Sequence, residues 1–346
     1  MGLNISEIIP RKEIEISDLK GKMVCVDAFN TLYQFLTSIR QPDGTQLMDS
    51  KSRVTSHLSG IFYRNINLLS EGIKLVYVFD GIPPEQKIRT SRKRKSLRDS
   101  AEEKYESAKS EEDFESMRRY SSQLLRLNEE MISESKELLE AMGIAVVQAP
   151  SEGEAEAAYL AKIKKEVFAS VSQDYDSILF GAPKLVRNLT LARKRKTVSG
   201  YVEVKPEIIE LKNVLEVLGI NLNQLICLGI LVGTDYNPRG IPRIGQKKAL
   251  QIVRQHKSPA SIFKSLQEKM DSLSDEDKFD WEEIFELFNK PNVINADFRF
   301  KKINEKRIKE ILVQGHEFSE ERVEKQLEKL RGIVESQKQK GISKWF

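Results

Sequence analysis

The sequence predicts an α/β fold, with a mostly parallel central sheet and helices on both of its faces. Three observations predict it. Short apolar runs recur along the first half of the chain, segments with helical spacing separate them, and the runs are apolar at consecutive positions rather than in alternation. Continuous apolar runs suit strands buried on both faces, and strand–helix alternation suits parallel pairing.

The elements follow in order. Residues 22–27 read Lys-Met-Val-Cys-Val-Asp, an apolar run ending in an acid. Residues 55–71 place Leu58, Ile61, Phe62, Ile66 and Leu69 on one side of a helix. Residues 74–80, Lys-Leu-Val-Tyr-Val-Phe-Asp, repeat the first pattern, and residues 144–148 and 167–171 are two further strand candidates.

Residues 85–142 contain neither Gly nor Pro, and half of residues 91–130 are charged. Leu97, Ala101, Tyr105 and Ala108 recur at helical spacing, as do Phe114, Met117, Tyr120 and Leu124. This stretch predicts charged helices inserted between two sheet strands, with too little apolar surface for a core. They form either a solvated hairpin or an arch beside a functional site.

Residues 222–233 predict an apolar helix, 235–245 a turn-rich segment, and Gln246 starts a basic helix. Residues 258–331 are helical in pattern and poor in strand signals; from Ser336 the chain is polar and predicted to be disordered.

Composition narrows the function. The chain has 346 residues, 40% hydrophobic and 31% charged, with 56 Lys and Arg against 52 Asp and Glu, for a net charge of +4. That excludes a polycation but not nucleic-acid binding, which depends on how charge is distributed. No apolar run approaches the roughly 18 residues of a membrane span, and no secretory leader is expected. Met-Gly-Leu-Asn-Ile-Ser at the start formally matches a myristoylation signal, but no second anchoring signal accompanies it. Cys25 and Cys227 lie far apart and there are three histidines, so a structural zinc site is not expected. A reduced intracellular protein is the simplest expectation.

Acids gather at the predicted strand ends. Asp27 and Asp80 each end a strand, Glu152 and Glu154 follow another, and Asp174 and Asp176 follow a fourth. Asp235 joins them from the adjoining turn. In open parallel sheets, ligands bind beyond the carboxyl ends of the strands. Singly, each acid has a local explanation. Ser151 and Glu154 form a capping box, Asp176 suits a helix cap, and Asp235 suits a turn. Together they repel and call for cations, and an all-oxygen donor set suits Mg²⁺ or Mn²⁺. Two such ions roughly 3.5–4 Å apart are the usual arrangement for phosphodiester cleavage.

Basic groups lie close by. Lys87, Arg89, Arg92, Lys93, Arg94, Lys95 and Arg98 follow Asp80, and suit phosphate steering as well as a solvated helix face. Residues 193–196, Arg-Lys-Arg-Lys, predict a basic loop. Gly240, Ile244, Gly245, Lys247 and Lys248 belong to a hairpin leading straight into a helix, which offers backbone N–H groups to a phosphate. At the C-terminus, Ile342, Trp345 and Phe346 fall on one side of a helical turn as a hydrophobic plug.

These motifs, in this order, resemble the flap structure-specific endonucleases of the 5′ nuclease superfamily. The carriers are Val-Asp-Ala-Phe from Val26, Val-Phe-Asp-Gly-Ile-Pro-Pro from Val78, Ser-Glu-Gly-Glu-Ala-Glu from Ser151, Gln-Asp-Tyr-Asp-Ser from Gln173 and Gly-Thr-Asp-Tyr-Asn from Gly233. The resemblance spans nearly the whole chain. It implies a PIN-like nuclease core with a helical arch and a helix-hairpin-helix element. It groups Asp27, Asp80, Glu152 and Glu154 around one Mg²⁺ and Asp174, Asp176 and Asp235 around a second, with Glu154 shared and Mn²⁺ able to substitute.

Further roles follow from the resemblance. Lys87 and Arg94 face the scissile phosphate. Tyr33 stacks on a base, and Gly2 packs near the metals. Arg40 and the hairpin residues contact DNA, with a monovalent cation at the hairpin. Gln339, Ile342, Trp345 and Phe346 dock on the sliding clamp (PCNA). Gly341 departs from the pattern by weakening the helical turn of that peptide.

The expected organisation is a core in two parts, 1–90 and 131–257, with the hairpin element at about 233–252 in the second. The arch covers 91–130, a helical region 258–335, and a flexible tail with the clamp peptide 336–346. The expected protein is a monomer that works with DNA inside the cell, away from membranes. It removes 5′ flaps to leave a ligatable nick in replication and repair, and has 5′–3′ exonuclease activity. The alternatives are a related nuclease that prefers bubbles or junctions, and a non-catalytic clamp-bound DNA adaptor.

Overall fold

A computed structural model describes residues 3–41, 44–87, 107, 126–191, 194–197 and 200–342. The described residues form nine strands: β1 (Lys12–Glu13), β2 (Met23–Asp27), β3 (Lys74–Phe79), β4 (Ala145–Gln148), β5 (Val167–Val171), β6 (Lys184–Arg187), β7 (Lys194–Thr197), β8 (Gly200–Glu203) and β9 (Glu207–Glu210). Seven make one sheet in the order β1-β9-β6-β5-β2-β3-β4, and β7 and β8 make a separate hairpin. Strands β4, β3, β2, β5 and β6 run parallel, whereas β9 and β1 close one edge antiparallel. The parallel strands therefore end on one edge of the sheet. β2 lies between β3 and β5, where the strand order changes direction and ligands bind in such sheets.

Strand side chains alternate between two cores, as a pleated strand requires. Val24 and Val26 of β2, with Leu75, Tyr77 and Phe79 of β3, bury on one face. Cys25, Val76 and Val78 bury on the other, against Ala145 and Val147 of β4. The first face is covered by helices α1 (Ala28–Ser38), α2 (Ser56–Ser59), α3 (Asn65–Ser70) and α4 (Glu129–Ala141). A π-helical turn, Gly60–Arg64, joins α2 to α3. The buried Tyr77 hydroxyl donates to Asn65 Oδ1 at 2.8 Å, so the phenol finds a partner inside this core.

Helix α5 (Gly153–Ile163) covers the second face through Ala157, Leu160 and Ala161. The short α6 (Asp176–Leu179), α7 (Leu211–Leu218), α8 (Leu222–Val232) and α9 (Gln246–Gln255) build a further core with α10 (Pro259–Lys264) and α12 (Trp281–Asn289). Between the last two lies α11 (Gln267–Asp271); α13 (Glu305–Lys309) and α14 (Glu320–Ile342) follow. Helix α14 returns to the first face, where Val323, Leu327 and Leu330 are buried.

The four strands expected from apolar runs form where expected. Strands β1, β6 and β9 add to them, and each is short and carries charged residues at its ends. The basic run 193–196, expected as a loop, instead lies largely in strand β7, residues 194–197, paired with residues 200–203 from Lys194↔Glu203 to Thr197↔Gly200. Thr197, Tyr201 and Val202 are residue types that favour strands, which outweighs the charge. The last helix runs to Ile342, past Ser336, where disorder was expected. Its Gln and Lys residues are good helix formers, which outweighs their polarity. The arch, residues 91–130, lies almost wholly outside the described residues.

Candidate metal centre and nucleic-acid surface

The acids sit where the parallel strands end. Asp27 is both the last residue of β2 and the N-cap of α1, and its Oδ1 accepts from the Asn30 N–H at 3.1 Å. Asp80 follows β3, and its Oδ1 accepts from the Gly153 N–H at 2.6 Å. A Cβ on Gly153 would lie 2.7 Å from that oxygen and 2.8 Å from the Val78 carbonyl, so only glycine fits. Gln148, at the end of β4, secures the same corner by donating to the Asp80 carbonyl at 2.7 Å. The start of α5 is thereby drawn against the end of β3, and Glu152 is set beside Asp80.

The loop after β5 carries the next acids and is held at three points. Asn30 Nδ2 donates to Asp174 Oδ2 at 2.8 Å, and the Gln173 N–H donates to Asn30 Oδ1 at 3.1 Å. Arg187, on β6, donates from Nε to the Gln173 carbonyl at 3.1 Å and from Nη1 to the Tyr175 hydroxyl at 2.6 Å. Glu154 Oε1 accepts from both the N–H and the hydroxyl of Ser177, at 2.9 and 2.8 Å. Glu154 therefore does not close a capping box with Ser151; its carboxylate reaches across to α6. Asp176 is the first residue of α6 rather than its cap.

Among the described residues, Lys87 brings its ammonium directly against these acids. Its Nζ lies 2.5 Å from Glu152 Oε1 and 3.6 Å from Asp235 Oδ2. The other Glu152 oxygen accepts from the buried Tyr236 hydroxyl. Burial opposes the charge on Lys87, but Glu152, Asp235 and Asp80 outweigh it and hold its pKa above the usual lysine range.

The carboxylates are electrostatically costly. Burial, followed by the charge of Asp80, pushes Asp27 up to about 8. Burial raises Asp80, Asp174 and Asp176, and Asp235 adds to the rise in the last two. Glu154 is raised well above the usual range by burial and then by Asp176, Asp174 and Asp27. Asp176 Oδ1 is buried without a hydrogen-bond partner, a cost that a cation would remove. Among the described residues the carboxylates are gathered along one edge but do not close into a compact ligand set. Their all-oxygen chemistry, shared repulsion and orphaned oxygen fit hard divalent cations.

The expected DNA-contacting residues lie on several elements. Tyr33, on α1, is 38% exposed, although aromatic side chains generally favour burial. Arg40 is folded onto its own loop, with Nη1 donating to the Gly44 carbonyl at 2.8 Å. In the hairpin, Gly240 has φ +54° and sits so close to the end of α8 that a Cβ would meet the Leu231 carbonyl at 2.5 Å. Ile244 is buried, and Gly245 caps α9 with exposed Lys247 and Lys248 behind it. Lys247 pairs with Glu7 at 3.3 Å, with both side chains exposed.

Gly2, Arg94, Trp345 and Phe346 lie outside the described residues; Gln339 and Ile342 lie in the final turns of α14. Sequence analysis did not single out Asn30, Arg187 or Tyr236. Tyr236 was within reach, since it lies inside a quoted motif beside Asp235, and Asn30 directly follows the Val-Asp-Ala-Phe motif. Arg187 carried no local signal, because its partners come together only through the β5–β6 pairing.

The XPG N-terminal domain family matches residues 4–101 and the XPG I-region matches residues 143–235. Flap endonuclease 1 of Pyrococcus furiosus is 52% identical over 348 residues, covering 100% of this chain and 99% of that protein. Among solved structures, the flap endonuclease-1 from Methanococcus jannaschii matches with a TM-score of 0.76 and 39% identity, over 97% of this chain and 100% of that one. The catalytic core of Rad2 in complex with DNA substrate shares the fold, with a TM-score of 0.68 at 23% identity, over 95% of this chain and 100% of that one.

Proposed function

This chain belongs to the flap endonuclease 1 family of XPG-type nucleases, and we propose that it cuts 5′ flaps at the junction of single- and double-stranded DNA. It is a nuclease, a hydrolase of phosphodiester bonds that depends on divalent metal. The observation that carries the reading is the gathering of Asp27, Asp80, Glu152, Glu154, Asp174, Asp176 and Asp235 beyond the ends of parallel strands, with Lys87 among them.

In this reading Asp27, Asp80, Glu152 and Glu154 hold one Mg²⁺, and Asp174, Asp176 and Asp235 the other, with Glu154 shared; Mn²⁺ can replace them. When bound, the ions supply the positive charge that activates water and stabilises the transition state at the phosphate. Gly153 and Gln148 keep Asp80 in register, and Ser177 orients Glu154. Lys87, which stands beside Glu152 and Asp235, would present its ammonium to the scissile phosphate, with Arg94 assisting it.

Tyr33 stacks on a base beside the site, with Gly2 packed close to the ions and Arg40 facing the duplex. The hairpin of Gly240, Ile244, Gly245, Lys247 and Lys248 grips duplex phosphates without reading sequence, together with a monovalent cation. Affinity therefore falls with salt, and junction geometry sets specificity. The chain works as a monomer in replication and repair, leaves a ligatable nick, and retains 5′–3′ exonuclease activity. Gln339, Ile342, Trp345 and Phe346 dock it on the sliding clamp (PCNA). In the same reading the chain divides into the two-part core, the arch, the helical region and the tail at the boundaries given above; helix α14 runs as far as Ile342.

A substrate panel tests the reading. With Mg²⁺, double-flap DNA should be cut faster than bubbles or four-way junctions of matched length. Equal or faster cutting of bubbles or junctions would replace the flap assignment with a related nuclease. Binding without cutting of any substrate would favour an adaptor.

A further inference from the structure

Asn30 contacts both groups of acids at once. Its backbone N–H donates to Asp27 Oδ1 at 3.1 Å, and its side-chain amide donates to Asp174 Oδ2 at 2.8 Å. The amide oxygen accepts from the Gln173 N–H at 3.1 Å. One half-buried residue in the first turn of α1 thus ties the end of β2 to the loop after β5.

The chemistry of the residue matters. An amide presents a donor and an acceptor in one plane, which matches a carboxylate on one side and a backbone N–H on the other. It carries no charge, so it steadies Asp174 without competing for it as a lysine would. It engages Oδ2 and leaves Oδ1 outside the contact. Asp27 and Asp174 belong to different halves of the proposed two-ion site, so the distance between those halves passes through this side chain.

We propose that Asn30 is a positioning residue that couples the two halves of the acidic edge and sets how tightly, and how cooperatively, the protein takes up its divalent ions. The inference rests on the two-ion reading of that edge. Groups that orient metal ligands from behind typically contribute about 10–100-fold in metal affinity or activity. Asn30 differs from most of them in bridging two ligands, so its loss should reach cooperativity as well as affinity.

The test compares wild type with Asn30→Ala, and with Asn30→Ser, which keeps a smaller donor and acceptor. Ala favours the helix at this half-buried position, and the metal-free thermal midpoint checks that the fold is kept. Calorimetric titration of the metal-free protein with Ca²⁺ reads binding without catalysis. Asn30→Ala should weaken the second binding step by about tenfold, with Asn30→Ser in between. In flap cleavage, the Mg²⁺ concentration for half-maximal rate should rise by a similar factor and the steepness of the curve should fall. The rate at saturating Mg²⁺ should change less than the half-saturation does.

Unchanged Ca²⁺ isotherms, or a rate loss at saturating Mg²⁺ with an unmoved half-saturation, would overturn the proposal. A wild-type protein that binds Ca²⁺ in two steps but cuts no flap would overturn the proposed function alone, leaving the Asn30 comparison intact. A wild type that takes up no Ca²⁺ would overturn both.

Discussion

Replacing Gly153 with Ala tests how closely α5 must approach β3 for the acids to work together. The added Cβ would sit 2.7 Å from Asp80 Oδ1, 2.8 Å from the Val78 carbonyl and 3.4 Å from the Asp80 nitrogen. Two of these atoms are backbone and Asp80 Oδ1 is held by its bond from the Gly153 N–H, so the helix start and the strand end must separate. The charge-assisted bond from the Gly153 N–H to Asp80, now 2.6 Å, then lengthens or breaks. Losing such a bond costs about 1.5–3 kcal/mol, and overpacking adds about 1–3 kcal/mol. Taking about 4 kcal/mol together, an unfolding entropy near 2.1 cal/mol/K per residue turns this into a Tm loss of about 5 °C for a chain of this length. Asp80, Glu152 and Glu154 should shift relative to one another, raising the Mg²⁺ needed for half-maximal cleavage by about tenfold or more. Differential scanning calorimetry and a Mg²⁺ titration of flap cleavage measure both effects. A Gly153→Ala protein with wild-type Tm and wild-type Mg²⁺ dependence would refute the reasoning.

Three further predictions follow from the same site. Lys87→Ala should slow flap cleavage at saturating Mg²⁺ by about a hundredfold, with DNA affinity in Ca²⁺ changed by less than about threefold; a rate within threefold of wild type would contradict a role at the phosphate. The metal-free protein should lose stability as pH rises. Asp27 titrates at about 8 when folded and near 4 when unfolded, so across that window the folded state holds more protons, and raising the pH favours unfolding. Buried His57, pushed down to about 3, works the other way below about 6.5, so melts between pH 6.5 and 8.5 isolate the carboxylates; Tm should fall in chelator and flatten with Mg²⁺, and a rise in chelator would count against it. Lys247→Ala with Lys248→Ala should weaken duplex binding equally across sequences and lower the salt slope by about 2, read by fluorescence anisotropy at several salt concentrations; an unchanged slope would remove the hairpin from the interface.

The parts of the fold legible in the sequence were those that bury apolar surface on both sides. Strands β2, β3, β4 and β5 must fill two cores at once, so apolar residues occupy consecutive positions in each and stand out. The acids were legible for the same reason, because each breaks or follows such a run. Strands β6 and β9 were not, since each pairs at the antiparallel side of the sheet and carries charge at its ends. The β7–β8 hairpin was hidden by its charge, which composition reads as solvated loop. Asn30 and Arg187 show the deeper limit. Asn30 meets Asp174 across 144 positions, and Arg187 reaches the loop after β5 only because β6 pairs beside β5. A positioning role depends on such meetings, whereas a ligand announces itself by chemical type.

The central claim is that the seven acids form a divalent-metal site that cuts flapped DNA. Its most direct test is cleavage of an end-labelled double-flap DNA by wild type and Asp174→Ala, each with Mg²⁺ or with chelator. The account predicts a cut at the base of the flap by wild type with Mg²⁺, and none in the other three lanes. Cutting that survives chelator or the loss of Asp174, or no cutting by a wild type that still binds the DNA, would contradict it.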